Sequence, residues 1–229
     1  MTHSKTAIIT GAAGNLGATL VAMLAGRGWR VAAVDRAGAP LAERCPLAAL
    51  HLTADDLAEP EQAALVLAQA RDGLGRVDGL ATTVGGFAWA MLDDSPAALW
   101  AQMFRLNVLT AANLFRAAIP HMRDAGGSLV AVGAGAALRA PAGMAAYAAA
   151  KSGVLRLVES TADEHKRIRI RANAVLPGTM DTPQNRASMP DVDPTLWTTT
   201  AEVAEAIAFL LSDAASGVTG AAIAVPGRG

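Results

Sequence analysis

Short apolar runs typical of β-strands alternate with longer helical patterns along this chain. The runs lie at residues 6–10, 30–34, 48–52, 77–82, 128–132, 168–175 and 221–225. The longest helical patterns lie between them, at residues 16–27, 60–71, 96–123, 144–165 and 200–212. Because such alternation builds parallel strands joined by helical crossovers, it predicts an α/β fold of seven strands and six helices, a doubly wound three-layer sandwich.

Length and composition limit the classes of protein to consider. The 229 residues suffice for one α/β domain but not comfortably for two, so we expect a single domain over residues 1–229. Apolar residues make up 52% of the chain, which excludes disorder. The net charge of -1, without a basic block, gives no electrostatic basis for binding nucleic acid or an anionic membrane.

The single cysteine and the N-terminal segment bear on the compartment. Cys45 cannot form an internal disulfide, which is typical of a reducing compartment, and no motif around it indicates a reactive thiol. Residues 1–5 are polar, and the apolar run from Thr6 is too short for a signal peptide or a membrane span. We therefore expect a soluble, cytoplasmic protein, and we predict no metal site.

The segment between the first strand and the first helix is rich in glycine. Glycines there let the backbone turn tightly and approach a pyrophosphate, which rests on the free N–H groups of the helix N-terminus. In a chain rich in alanine and glycine the segment can also be an ordinary turn. Its place between a strand and a helix favours a dinucleotide site in a Rossmann-type fold, formed by Gly11, Gly14, Asn15, Leu16 and Gly17.

Acidic residues follow the second and third strands. Asp35 lies 18 residues beyond Gly17, where a carboxylate can accept hydrogen bonds from the adenosine ribose and would repel a 2′-phosphate. NAD(H) is therefore the preferred cofactor, while Arg36, whose guanidinium can hold a phosphate, keeps NADP(H) possible. Asp56, followed by Leu57, can receive the adenine amino group or serve only as an acid at a helix N-terminus.

Tyr147 and Lys151 lie four residues apart in a predicted helix of small residues, so both side chains share one helix face. An ammonium near a phenol favours the phenolate and lowers the pKa of the tyrosine. Tyr147 is the only tyrosine of the chain, and it follows the fifth strand of a nucleotide-binding fold. The pair is therefore predicted to be catalytic rather than a surface pair.

These motifs, with Asn107 and Pro177-Gly178, occur in the order and spacing of short-chain dehydrogenases/reductases, which the whole chain resembles. The resemblance implies that Asn107 positions Lys151 and a proton-relay water. It implies that Pro177, Gly178, Thr179 and Thr182 hold the nicotinamide. It also implies pairing of copies through alanine-rich helices such as residues 145–150, as a homodimer or homotetramer.

The chain departs from the family at three places. Asn15 stands where the commonest pattern has its middle glycine, and residues 82–85 read Thr-Thr-Val-Gly in place of Asn-Asn-Ala-Gly. The usual substrate-binding serine, 13 residues before the tyrosine, is Ala134. Alanine cannot donate a hydrogen bond to a substrate carbonyl.

A particular branch shares the missing serine. Residues 85–89, 133–138, 141–144 and 181–190, with Trp197, resemble dihydropteridine reductase, which prefers NADH. Its conjugated quinonoid substrate needs less help from a polarising donor. The resemblance implies that Val84, Gly85 and Gly86 line the nicotinamide end, and that the substrate pocket contains Ala134, Phe87, Trp89 and Trp197. Phe87 and Trp89 could stack on a planar ring or fill core space.

Three functions are therefore open. The first is an NADH-dependent reductase of a planar conjugated acceptor, with Tyr147 as proton donor. The second is a ketone or alcohol oxidoreductase in which Thr179, Thr182 or a water replaces the missing hydroxyl. The third is a dinucleotide-binding module without turnover, which has no need of a phenol–ammonium pair. Residues 177–197 are predicted to be a long irregular loop, typical of a lid.

Overall fold

The computed structural model describes residues 4–228; Met1–His3, part of the polar N-terminal segment, and Gly229 lie outside the described residues. The strands are β1 (Thr6–Thr10), β2 (Arg30–Asp35), β3 (Leu50–Thr53), β4 (Gly79–Thr82), β5 (Gly127–Val132), β6 (Ile170–Pro177), β7 (Met180–Asp181), β8 (Thr198–Thr199) and β9 (Ala222–Val225). The α-helices are α1 (Asn15–Gly26), α2 (Leu41–Arg44), α3 (Pro60–Leu74), α4 (Ala97–Phe104), α5 (Thr110–Met122), α6 (Ala145–His165), α7 (Pro183–Ser188) and α8 (Thr200–Leu211).

The main sheet has seven parallel strands in the order β3-β2-β1-β4-β5-β6-β9. The prediction of a seven-stranded parallel sheet is confirmed. After β3 the chain returns to pair β4 with the other side of β1, so the direction of winding reverses between β1 and β4. The loops after β1 and β4 then diverge, which leaves a crevice at the carboxyl edge of the sheet.

Helices cover both faces of the sheet, because side chains alternate across a strand. Ile8 of β1 packs in one apolar cluster with buried residues of α3, α5 and α6. Its neighbours Ala7 and Ile9 pack in a second cluster, with α1 and α8. The three layers predicted from the alternating pattern are therefore present.

The helices differ from the predicted set in two ways. The predicted helix over residues 96–123 is divided, because residues 105–109 between α4 and α5 form a π-helical turn. Two short helices, α2 and α7, form where none was predicted. The stretch over residues 177–197 is consequently not irregular throughout: it contains β7, α7 and a 3₁₀ turn, and β7 pairs with β8.

The alanine-rich start of α6 is packed within the chain itself. Ala146 and Ala150 are buried in a cluster with Met103 of α4. Small residues allow α4 and α6 to approach closely here, while Ala149 of the same run is exposed, so pairing of copies through this segment stays a prediction. Among residues 4–228, no helix is long and apolar enough to cross a bilayer.

The packing of α1 against the loop before it depends on Gly17. A Cβ at this position would lie 2.2 Å from the carbonyl oxygen of Gly11, closer than van der Waals contact permits. Gly11 has a φ of +73°, and a Cβ there would lie 2.7 Å from the hydroxyl oxygen of Thr83. Gly17 was predicted to let the helix pack close to the strand; the close approach is to the loop residues Gly11 and Ala12 that follow the strand.

We expect Gly17→Ala to lower the free energy of unfolding by about 1–3 kcal/mol, because the new methyl group overpacks the loop. Gly26→Ala, at the other end of α1, is the matched control, since a Cβ there meets nothing within 4 Å. Urea denaturation of both variants measures the difference. Equal stability of the two variants would contradict the close approach at Gly17.

Candidate active site

The loop from Gly11 to Gly14 joins β1 to α1 and is fixed from the neighbouring strand. The hydroxyl of Thr83, just after β4, donates to the carbonyl oxygens of Thr10 and Gly11 at 3.0 and 3.1 Å. Gly14, the N-cap residue of α1, carries no side chain that could bond to the first helical turn. The N–H groups at the start of α1 therefore face the crevice with room for an anion. Sequence reasoning missed Thr83, although it lies in the stretch that departs from the family pattern.

Asp35 ends β2 beside this loop, as predicted. Its carboxylate accepts hydrogen bonds from the N–H groups of Ala13 and Arg36, at 2.9 and 2.8 Å. Arg36 itself is exposed. The carboxylate is therefore held at the edge of the glycine loop, next to an exposed cation.

Asp56 lies after β3, in an ion pair that the sequence did not predict. Its carboxylate accepts from the N–H of Ala58 at 2.9 Å and from Arg105 at 2.6 Å, and Arg105 also binds Glu59. Partial burial raises the pKa of Asp56, but the hydrogen bonds from Ala58 and Arg105 outweigh it and lower the pKa. Leu57 is buried beside it. Arg105 begins the π-helical turn that carries Asn107.

Tyr147 and Lys151 share one face of α6. The ammonium of Lys151 is buried and donates to the carbonyl oxygen of Val132, the last residue of β5, at 2.8 Å. It lies 5.9 Å from the centre of the Tyr147 ring. Burial lowers the pKa of Lys151 to about 8.

The direction of the Tyr147 pKa differs from the one that the Tyr–Lys spacing predicts. Burial raises the pKa of this phenol above its usual value. The physical reason is that the phenol loses hydration on burial. Tyr147 is therefore a protonated phenol at neutral pH.

Asn107 lies in the π-helical turn, where Thr110 N–H bonds to the carbonyl of Arg105, five residues earlier. The Asn107 amide donates to the carbonyls of Gly86 and Met103, at 3.1 and 2.9 Å. A Cβ on Gly85 would lie 2.8 Å from Asn107 Oδ1 and 3.1 Å from Lys151 Nζ. Asn107 and Lys151 therefore meet at Gly85, next to Val84 and Gly86. A single π turn of this kind is frequent at functional sites.

The residues predicted to line the substrate pocket differ in their exposure, and one of them contacts the phenol. The ring of Phe87 packs against Tyr147 in a T-shaped pair, with 5.0 Å between the centroids, and Phe87 is 59% exposed. Trp89 is equally exposed and its indole donates to the carbonyl of Ala142 at 3.1 Å. Neither ring fills the core, which excludes that alternative. Ala134 is nearly buried after β5, and Trp197 is 6% exposed, so Trp197 has little surface free for a substrate.

The predicted nicotinamide loop follows β6. Pro177 ends the strand, and a Cβ on Gly178 would lie 2.4 Å from the carbonyl oxygen of Pro226. Thr179 is exposed, whereas the buried Thr182 caps α7 by accepting from the N–H of Asn185 at 3.2 Å. The Thr182 hydroxyl retains a proton that it can donate. Within residues 4–228 no three His, Cys, Asp or Glu side chains come together to hold a metal ion.

Comparison with known proteins decides the family. The sequence pattern of the short chain dehydrogenases matches residues 5–193. The chain belongs to the short-chain dehydrogenase family. It is an oxidoreductase of that family, and the interpretation as a binding module without turnover is set aside.

Individual family members are similar over nearly the full length. The chain is 35% identical to cis-4-hydroxycyclohexanecarboxylate dehydrogenase of Sinomonas cyclohexanicum, over 97% of this chain and 95% of that protein. It is 31% identical to 2-(R)-hydroxypropyl-CoM dehydrogenase of Xanthobacter autotrophicus, over 98% of each. Among solved structures, carveol dehydrogenase of Mycobacterium avium in complex with NAD has a TM-score of 0.88 at 26% identity, covering 98% of this chain and 96% of that one.

The buried ammonium generates a prediction about pH and stability. Lys151 has a folded-state pKa of about 8, below the usual 10.5, so the unfolded chain binds more protons between these values and stability rises with pH there. We expect Lys151→Met to be more stable than the wild type by roughly 2–3 kcal/mol at pH 7, with a difference that shrinks between about pH 8 and pH 10.5. Urea denaturation at several pH values measures it. A constant difference across that range would contradict the lowered pKa.

Proposed function

We propose that this chain is an NAD(H)-dependent reductase in which Tyr147 donates the proton, and that its substrate is a planar conjugated ring acceptor of the quinonoid pterin type. The main support for the proposal is that the site contains Tyr147, Lys151 and Asn107 together but has Ala134 in place of the usual serine. The site keeps one proton donor and lacks the second hydrogen-bond donor that ordinary carbonyl substrates use in this family. A cytoplasmic location and pairing of copies remain predictions.

The residues present fit a dinucleotide. Gly11 and Gly17 let the loop pack tightly against Thr83 and the start of α1, and the N-cap residue Gly14 leaves the first N–H groups of α1 without a side-chain cap, so they are free to bind a phosphate. Asp35 would accept hydrogen bonds from the ribose and repel a 2′-phosphate, while the exposed Arg36 keeps NADP(H) possible. The NAD bound to the carveol dehydrogenase relative supports this choice. When bound, the nicotinamide would supply the hydride.

The remaining cofactor contacts are assigned by position. Asp56 has further lone pairs for the adenine amino group beside its bonds to Ala58 and Arg105. Thr182, with its free hydroxyl proton, would bind the carboxamide or a phosphate. The other cofactor-binding residues are Gly14, Asn15, Leu16, Leu57, Val84, Gly85, Gly86, Pro177, Gly178 and Thr179.

Tyr147 is suited to donate a proton. A phenol is protonated at neutral pH, and burial raises the pKa of Tyr147 further, so the side chain is present in the form that can donate a proton. Lys151, held by the carbonyl of Val132, places a positive charge behind the phenol and stabilises the phenolate left after transfer. Asn107 fixes the segment at Gly85 and Gly86 against which Lys151 lies.

The pocket favours a flat ring. Phe87 exposes aromatic surface against the phenol, Trp89 is equally exposed, and Ala134, although buried, carries a methyl group in place of the usual hydroxyl. A positioned donor to a developing oxyanion is commonly worth about 10²–10³ in rate, so its loss disfavours an ordinary ketone. A conjugated, strongly oxidising ring accepts electrons with less such help.

A second candidate is oxidation of a cyclic secondary alcohol. The similarity to cis-4-hydroxycyclohexanecarboxylate dehydrogenase and carveol dehydrogenase favours it. In this function Thr179, Thr182 or a water replaces the missing serine hydroxyl. The same apolar pocket would accept a cyclohexane ring.

Cofactor preference is tested with Asp35→Ala. Loss of the carboxylate removes hydrogen bonds to the ribose and the repulsion of a 2′-phosphate, so we expect NADH to bind about tenfold more weakly and NADPH no more weakly than to the wild type. Fluorescence titration with both dinucleotides measures the two affinities. Equal losses for NADH and NADPH would contradict the role of Asp35.

The acceptor is tested with Tyr147→Phe and Ala134→Ser. NADH oxidation is followed at 340 nm with quinonoid dihydropterin, ketones and quinones, and the reverse reaction with cyclic secondary alcohols. We expect turnover of the pterin to fall at least about 10²-fold in Tyr147→Phe with NADH binding unchanged. We expect Ala134→Ser to raise ketone reduction by about 10²-fold and to change pterin reduction little.

Each alternative has its own result in this assay. Turnover of cyclic alcohols by the wild type, without turnover of the pterin, would favour the second candidate. Retained pterin turnover in Tyr147→Phe would mean that another group supplies the proton.

A further inference from the structure

Asn15 joins three elements of the fold. It is the first residue of α1 and stands where the family's commonest motif has a glycine. Its Nδ2 donates to Oε1 of Gln184 in α7 at 2.7 Å, and its Oδ1 accepts from Nη2 of Arg44 in α2 at 3.1 Å. Arg44 Nε also donates to the carbonyl of Ala13, at 3.1 Å. A continuous hydrogen-bonded chain therefore runs from α2 over the glycine loop to α7.

The chemistry of the two partners fixes the orientation of the Asn15 amide. Arg44 offers only donors, so it must face the amide oxygen. The NH₂ group then faces Gln184, which presents its own amide oxygen. A reversed amide would place donor against donor at Arg44.

Hydrogen bonds hold helix α7 on two sides. Every residue of α7, all of which the structure describes, keeps part of its surface exposed, so apolar burial does little to hold it. On the side of β7 it is held by the Thr182 cap, by the bond from Asn185 Nδ2 to the carbonyl of Met180 at 2.8 Å, and by the paired bonds between Arg186 and Asp181 at 2.6 and 2.8 Å. On the side of α1 it is held by the bond between Gln184 and Asn15. Behind it, between α1, α2 and α7, lies an open groove of about 520 Å³ lined by Thr19, Glu43 and Asp181, among others.

We propose that Asn15 is a positioning residue that fastens α7 across the glycine loop, so that a bound dinucleotide leaves more slowly than it would with glycine at this position. The inference rests on the proposed cofactor, NADH. Because α7 follows the segment predicted to hold the nicotinamide, and Asn15 begins the helix predicted to hold the pyrophosphate, the Asn15–Gln184 bond spans the two halves of the cofactor site. Release of the cofactor then requires this bond to open.

The test is the rate of NADH release, measured by stopped-flow fluorescence on displacement with excess NAD⁺ and without any acceptor. We expect Asn15→Ala and Gln184→Ala each to release NADH about three- to tenfold faster, the effect of one lost hydrogen bond. The double variant should release NADH no faster than the faster single variant, because both changes remove the same bond. Melting temperatures should stay within about 2 °C, since Gln184 is exposed.

Ser188→Ala is the matched control, because Ser188 lies in the same helix and its hydroxyl bonds only to the carbonyl of Asn185. It should release NADH at the wild-type rate. Gln184→Ala leaves the glycine loop unchanged. It therefore tests the proposal even if Asn15→Ala fails to fold. Release rates within twofold of the wild type in Gln184→Ala, or additive effects in the double variant, would overturn the proposal.

Failure of the proposed function gives a different result. One outcome is that the wild type binds NADH and yet reduces no acceptor in the NADH oxidation assay, while Asn15→Ala and Gln184→Ala release NADH faster. In that case the substrate assignment is wrong and the role of Asn15 is supported. If the wild type does not bind NADH, both are overturned.

Discussion

All strands of the main sheet run in one direction, and the positions of the candidate site residues depend on this constraint. Parallel pairing places the carboxyl ends of β1, β2, β4 and β5 at one edge, so the residues that follow them converge although they are far apart in sequence. The reversal of winding between β1 and β4 opens a crevice where the glycine loop and Thr83 meet. The Thr83 hydroxyl bonds the carbonyl of Thr10, the last residue of β1, and that of Gly11, the first residue of the loop, and so joins the two sides at the base of the crevice.

The buried ammonium of Lys151 is bound at the same edge of the sheet. An ammonium taken out of water needs a fixed partner, and the last carbonyl of β5 provides one. Gly85, three residues after β4, makes room for it, because a side chain there would collide with Asn107 and approach the ammonium. This close approach gives a physical reason for the glycine of the family pattern at residue 85.

The sequence was sufficient for the sheet, the glycine loop and the positions of Asp35, Tyr147 and Lys151, since periodicity and local spacing determine them. It was not sufficient for features that arise only when distant elements meet. The ion pair between Asp56 and Arg105 joins residues 49 apart, and Ala146 and Ala150 of α6 pack against Met103 of α4, which the alanine run by itself did not indicate. The π turn at Asn107 has no local sequence signal, because the helical periodicity on both sides of it is ordinary. The pKa of Tyr147 was predicted in the wrong direction because spacing shows the neighbouring charge but not the loss of hydration.

Tyr147 and Ala134 bear differently on the choice between the two candidate substrates. A phenol with its ordinary pKa is already protonated at neutral pH, and burial raises the pKa of Tyr147 further. The group that donates a proton in reduction takes it back as the phenolate in oxidation, so the same side chain serves both directions of a hydride transfer. The protonation of Tyr147 therefore does not separate the two candidates. The residue that bears on the choice is Ala134, because its methyl group stands where the family pattern has a hydroxyl donor, and the loss of such a donor weighs most on substrates whose oxygen takes up charge.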